Sequence, residues 1–390
     1  MVNEITIENF KSVQNLKLSL SRFNVFIGSN GSGKSNILEA ITFAGAASAE
    51  KLDNEFFESR GIRPTSARLT KSAFNIDNIN EPIKIKIDNG TENSFNIQEK
   101  DSLILSWTNL EKDRIETNFK EKVTEYIRSL EKKVEMSGSD AGKFIFQNED
   151  TKSSFINSTL RKMESLVHEQ FFFNGDLASF LIYSPEISSL RKFEDESQIK
   201  PLGIKGEGIF NVLQIFNESY PTETLGELKN YLHIIEWFHD FEAVADSVTG
   251  RKSLVVKDRY MPGVFLNQNN VNEGFLFLLF YISLFISKET PQFFAIDNIE
   301  ASFHPRLCEE LIKRLVELSK KHDKQVILTT HNPFILDGMD LNDPEQTLFV
   351  VRRNADGETI ADRIDKPLSG VKLSEAWTRG YIGGQPETIY

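Results

Sequence analysis

The chain opens on short alternations of apolar and polar residues and then changes period. Residues 5–10 alternate, Leu16, Leu18 and Leu20 repeat the alternation, and residues 23–27 form a continuous apolar run. The first two patterns predict half-buried strands, and the third predicts a strand covered on both faces. A glycine-rich loop follows, and from Asn36 to Gly45 the apolar positions take a helical rhythm. Residues 82–87 and 93–97 predict a hairpin around Asp88-Asn89-Gly90, with a further strand over 102–107.

Residues 111–136 have another character: fourteen of the 26 are charged. Ile115, Phe119, Val123, Ile127, Leu130 and Val134 recur every three or four positions. That spacing predicts one helix with a narrow apolar stripe. A second helix is expected over 151–170, antiparallel to the first and projecting with it. Beyond it, the pattern predicts a helix over 225–244, a strand over 251–257, a buried helix over 274–287 and a strand over 293–296. A helix over 306–321, a strand over 325–330, a hairpin pairing 347–352 with 359–364, and a short helix over 372–379 complete the chain. Strands alternating with helices argue for an α/β head. The expected division is residues 1–107 and 183–390 as two parts of one head, with 108–182 as a helical insertion.

Composition removes several alternatives. The 390 residues carry 45 basic and 57 acidic side chains, a net charge of −12, which disfavours general duplex binding. The single cysteine, Cys308, leaves no internal disulfide framework and fits a reducing, cytoplasmic setting. The most apolar stretch, 274–287, has 14 residues, short of the roughly 20 that a spanning helix needs. No membrane partner is expected.

Two stretches carry chemistry. Residues 28–35 read GSNGSGKS, matching G-x-x-x-x-G-K-[ST] between a buried strand and a helix. In such a loop, Gly28, Asn30, Gly31, Ser32 and Gly33 turn backbone N–H groups toward phosphate oxygens, helped by the positive end of the helix that starts near Lys34 and includes Asn36. Lys34 should reach the β- and γ-phosphates of ATP, and Ser35 should offer its hydroxyl to Mg²⁺. Residues 293–297, FFAID, are a buried strand ending in an acid, the position from which Asp297 can hold the same Mg²⁺.

The opening ITIENFKSVQNLKLSLSRFNVFIGSNGSGKSNILEAI, with AIDNIEASFHPRL and VILTTHNPFILD, resembles the RecF/SMC-like ABC-type ATPases. Within that group the chain is most similar to the compact OLD-like ATPases of bacterial anti-phage defence. The resemblance implies an ABC-type P-loop ATPase head, with a mixed sheet flanked by helices and an antiparallel β subdomain. It implies a head-to-head homodimer enclosing ATP, and a γ-phosphate sensor at His331. By loose analogy to arginines that follow the first helix in this group, Arg60 is the candidate for a place near nucleotide, although the basic loop that also carries Arg63, Arg68 and Lys71 equally suits an acidic partner, a nucleic-acid backbone or plain solvation.

The chain departs from the family pattern twice. Asn298 stands where the family has the glutamate that polarises the attacking water, and an amide cannot accept its proton. Glu300 or His331 is expected to take over. Asn272-Glu273-Gly274 stands where the family has Ser-x-Gly against the partner's γ-phosphate. Asn272 and Gly274 suit a helix start there, whereas Glu273 brings negative charge. The remaining histidines show no metal spacing, so Mg²⁺ is the one metal expected.

The expectation is a slow ATPase acting as a sensor or switch for a separate effector, a nuclease or toxin, with a nucleic acid or phage protein as its trigger. A DNA-repair ATPase gating duplex binding, and an ATP-bound scaffold without turnover, are the alternatives.

Overall fold

The computed structural model describes residues 1–63, 65–74, 78, 80–101, 106–110, 177–192, 198–219, 223–245, 252–300, 303–366 and 370–385, with the single positions 125, 129, 132, 154 and 158. The helical pair expected over 111–136 and 151–170 lies outside the described residues apart from those five positions, all of them helical.

Three sheets organise the rest. A five-stranded antiparallel sheet has the order β2 (Val13–Ser19), β1 (Glu4–Phe10), β4 (Ile83–Asp88), β5 (Glu92–Asp101), β6 (Ser106–Asn109). A three-stranded antiparallel sheet has the order β10 (Phe265–Asn267), β9 (Lys252–Asp258), β8 (Phe238–Ala245). The central sheet has the order β14 (Thr359–Ile364), β13 (Gln346–Arg353), β3 (Phe23–Ile27), β12 (Gln325–Thr329), β11 (Phe293–Ile296), β7 (Ile182–Tyr183). Its strands are parallel except β14, which runs antiparallel to β13. This is the mixed α/β head, with its antiparallel β subdomain, that the sequence implied.

The continuous apolar runs are explained by the two cores. Phe23, Val25 and Ile27 enter one core and Phe26 the other. Phe294 and Ile296 join the first, while Phe293 and Ala295 join the second. Successive side chains of a strand point to opposite faces, so a strand covered on both must be apolar throughout. Helix α1 (Lys34–Ser48) and the antiparallel sheet supply the second core.

The first core is built around the Phe- and Leu-rich helix over Glu273–Ile286. Preceding it are the short α2 (Asn54–Ser59) and α3 (Glu223–Leu232); α4 spans Glu273–Ile286, α5 Pro305–Lys321 and α6 Leu373–Thr378. Every residue of α4 from Gly274 to Ile286 is buried, and each large apolar side chain there contributes about 1.5–3 kcal/mol. No helix among the described residues is long and apolar enough to cross a membrane.

One expectation is corrected. The helix over 225–244 stops at Leu232, and Phe238–Ala245 is strand β8. The register of β8 against β9 shifts between Phe238 and Asp240. That bulge lets Phe238 and Phe241, three residues apart, both enter the first core, imitating a helical repeat. The strand expected over 102–107 begins at Ser106 among the described residues and continues to Asn109. A helix over Ile209–Ser219 was not foreseen.

Candidate functional site

Strands β3, β12 and β11 are adjacent and parallel, so their C-terminal ends share one edge of the sheet. The segments leaving that edge are the glycine-rich loop, Thr330-His331-Asn332 and Asp297-Asn298-Ile299-Glu300. In open α/β sheets this is the edge where ligands bind.

The loop is shaped by positive-φ backbone that side chains other than glycine rarely adopt. Gly28, Gly31 and Gly33 have φ of 147°, 76° and 109°. A Cβ on Gly33 would stand 2.0 Å from Thr359 Oγ1, so the loop is both left-handed and tightly seated there. Lys34 is 6% exposed, and its Nζ donates to Gly28 O at 2.8 Å and Ser29 O at 3.1 Å. Burial pushes the ammonium down to about 8, against the pull of Asp297 and Glu300. Ser35 is exposed at the start of α1.

A relay of side chains braces the loop from behind. Asn36 Nδ2 donates to Ser12 Oγ at 2.5 Å, Ser12 Oγ lies 2.7 Å from Thr359 Oγ1, and Thr359 Oγ1 donates to Ser32 O at 3.0 Å. Arg353, at the end of β13, donates to Gly31 O at 2.9 Å and Gly357 O at 2.6 Å. Asn36 therefore positions the loop through Ser12, in the turn between β1 and β2, and Thr359 at the start of β14. Ser32 Oγ is buried without a hydrogen-bond partner. Asn30 is exposed on the loop's outer side.

Thr329 organises the acidic side. Its hydroxyl donates to Asp297 Oδ1 and accepts from Asn298 N at 2.9 Å. Asp297 N donates to Tyr183 O at 2.8 Å, locking the acid's backbone to β7. Asn298 is exposed and has φ of 56°. Asparagine is one of the few residues that accept the left-handed region readily, so this side chain suits the backbone it sits on. Glu300 Oε1 accepts from His331 N at 2.8 Å, while Glu300 Oε2 is buried with no hydrogen-bond partner. Burial, then repulsion from Lys34, holds the His331 imidazole below its ordinary value, so it is neutral at pH 7. The structure thus brings Lys34, Asp297, Glu300 and His331 within electrostatic reach of one another.

Three expected residues keep different company. Arg60 lies over the Phe56 ring at 3.4 Å and donates to Ser59 Oγ at 3.3 Å; none of its contacts is with the glycine-rich loop. Asn272 Oδ1 accepts from Phe275 N at 3.3 Å, capping α4. Asn272 is exposed and Gly274 buried, at a helix end not joined by any of these contacts to the loop of the same chain.

The C-terminal segment is a participant that the sequence did not assign. Ser374 Oγ donates to Asp337 Oδ2 at 2.8 Å, tying α6 to the turn that follows His331. A Cβ on Gly384 would stand 2.7 Å from Val350 Cγ1 and 3.6 Å from Gly28 Cα, and its φ is +76°. The tail therefore rests on the first glycine of the loop. Gly384→Val is expected to lower ATP affinity about tenfold and reduce Tm by several degrees, through left-handed strain and pressure on Gly28. A titration with MgATP and a melting curve check this.

The glycine cradle, the lysine on its carbonyls and the carboxylates facing it fit a nucleotide triphosphate with Mg²⁺. Among the described residues no group of three His, Cys, Asp or Glu could hold a metal alone. Mg²⁺ bound chiefly through phosphate, one carboxylate and one hydroxyl needs no such group.

The fold is that of known ATPase heads. The crystal structure of an SmcHead bound to the C-winged helix domain of ScpA superposes with a TM-score of 0.51, at 13% identity, over 93% of this chain and 98% of that one. It shows the fold. The SMC head domain from Thermotoga maritima, at 15% identity, covers 94% of this chain and 99% of its own, with a TM-score of 0.41. No curated protein matches the chain in sequence. Residues 23–337 match the family described as "AAA domain, putative AbiEii toxin, Type IV TA system", and the chain belongs to that family, an ATPase of the AAA/SMC-head type.

Proposed function

We propose that the chain is an ATP-operated switch that closes into a head-to-head dimer around ATP, hydrolyses it slowly and controls a separate toxin or nuclease in an OLD-like antiviral system. The observation that carries this reading is the meeting of Lys34, Asp297, Glu300 and His331 at one strand edge, opposite a braced phosphate loop.

In this reading Lys34 leaves the Gly28 and Ser29 carbonyls and bonds the β- and γ-phosphates. Ser35 and Asp297 would hold Mg²⁺, which supplies charge neutralisation at the phosphate oxygens. Glu300 takes the water proton on Oε2, the oxygen left without a partner, while the His331 N–H fixes the other oxygen. Neutral His331 donates a hydrogen bond toward the γ-phosphate, and Asn298 orients the water. Asn272 and Gly274, at the exposed start of α4, would meet the γ-phosphate held by a second copy. The family's description, an AAA domain and putative AbiEii toxin of a Type IV TA system, supports a place in a toxin–antitoxin setting.

Light scattering tests the switch. Wild type and Glu300→Gln are expected to double in mass from 44.5 kDa with MgATP, and Lys34→Ala to remain monomeric. A mass unchanged by ATP in all three proteins would refute the dimer. Turnover stimulated by duplex DNA would favour the repair ATPase instead.

A further inference from the structure

Arg60 sits where two clefts meet. One, of about 480 Å³, is lined by Arg60, Lys200, Lys288 and Glu289 with Tyr183 and Thr290; the other, of about 920 Å³, carries more acids than bases, Glu55 and Glu58 among them beside Lys51 and Lys205. Both volumes are in or near the range of small-molecule sites, roughly 300–1,000 Å³. The guanidinium is half-buried, its Nε is out of solvent without a hydrogen-bond partner, and among the described residues no carboxylate pairs with it. Its plane is already fixed over Phe56. A buried cation normally has an anion beside it, because leaving it unpaired is costly. Here burial alone lowers the guanidinium to about 10, with no counter-charge acting on it. A preorganised guanidinium fork is a phosphate-recognition group.

We propose that the Arg60 cleft binds a small phosphorylated ligand of nucleoside-monophosphate size, apart from the glycine-rich loop. Arg60 and Lys200 take the phosphate. Glu55 and Glu58, across Arg60, accept hydrogen bonds from hydroxyl or amino groups. The concave shape and the acids lining both clefts favour a small ligand over a nucleic-acid backbone, which acids would repel. The cleft is one strand from the acid of the main site: Ile182 N donates to Arg60 O at 3.2 Å, and Tyr183 O accepts from Asp297 N at 2.8 Å.

The test is calorimetric titration of AMP into wild type, Lys34→Ala, Arg60→Ala, Arg60→Lys and Lys200→Glu, with melting curves to verify folding. The expected result is saturable binding that Lys34→Ala leaves intact. Arg60→Ala and Lys200→Glu should each weaken it at least about tenfold, with Arg60→Lys intermediate. Absence of saturable AMP binding, binding lost in Lys34→Ala but kept in Arg60→Ala, or binding only of a DNA duplex that AMP does not displace would each overturn the proposal. Because Lys34 reports the ATP reading and Arg60 this one, the two can fail separately.

Discussion

Lys34→Ala is expected to lower MgATP affinity about 100-fold, the loss of about 2–3 kcal/mol of charge-assisted hydrogen bonding. Lys34 is the buried cation of the loop, held by the Gly28 and Ser29 carbonyls. Burial pushes it to about 8 in the free protein, which gives the wild type a pH signature. Below pH 8 the ammonium is charged and affinity is level. Above pH 8 the free protein must first take up a proton before phosphate can pair with it, so affinity falls. The alanine variant should show no such fall. Fluorescence titration of a labelled ATP analogue between pH 6.5 and 9.5 measures both. Unchanged affinity in Lys34→Ala would remove the loop from nucleotide binding.

Glu300→Gln separates binding from turnover. The amide oxygen can still accept from His331 N, so the fold around the site is expected to hold. The lost capacity is proton acceptance on Oε2, worth about 10²–10⁴-fold in rate. Turnover should drop by that factor, with MgATP affinity within about threefold of wild type. His331→Gln, which keeps a donor, should cost less. If Glu300→Gln turns over at the wild-type rate, water is activated elsewhere and the role given to Glu300 is wrong.

What could be read from the chain divides along physical lines. The phosphate loop, β3, β11 and β12 were legible because a strand buried on both faces leaves a continuous apolar run, and because the loop's glycines and lysine sit at fixed spacings. Asp297 was legible as the polar end of such a run. The partners that hold these groups were not. Thr329 reaches Asp297 across 32 positions, Arg353 reaches Gly31 across 322, and Thr359 reaches Ser32 across 327. Nothing in the local pattern marks such pairings. The same holds for Gly384 against Gly28, where only the close backbone approach explains the glycine. β8 was misread because its bulge put two phenylalanines three residues apart on one face. Glu300 was visible as an acid, but its fixed and free oxygens emerge only once His331 N is placed against it.

Phosphate release from MgATP by the wild type, with Lys34→Ala as the blank, tests the central claim most directly. The expected result is slow but clear release above the blank, because Lys34, Asp297 and Glu300 stand together at one strand edge. Release equal to the blank, with ATP bound to the wild type, would contradict it and leave a protein that holds ATP without turning it over.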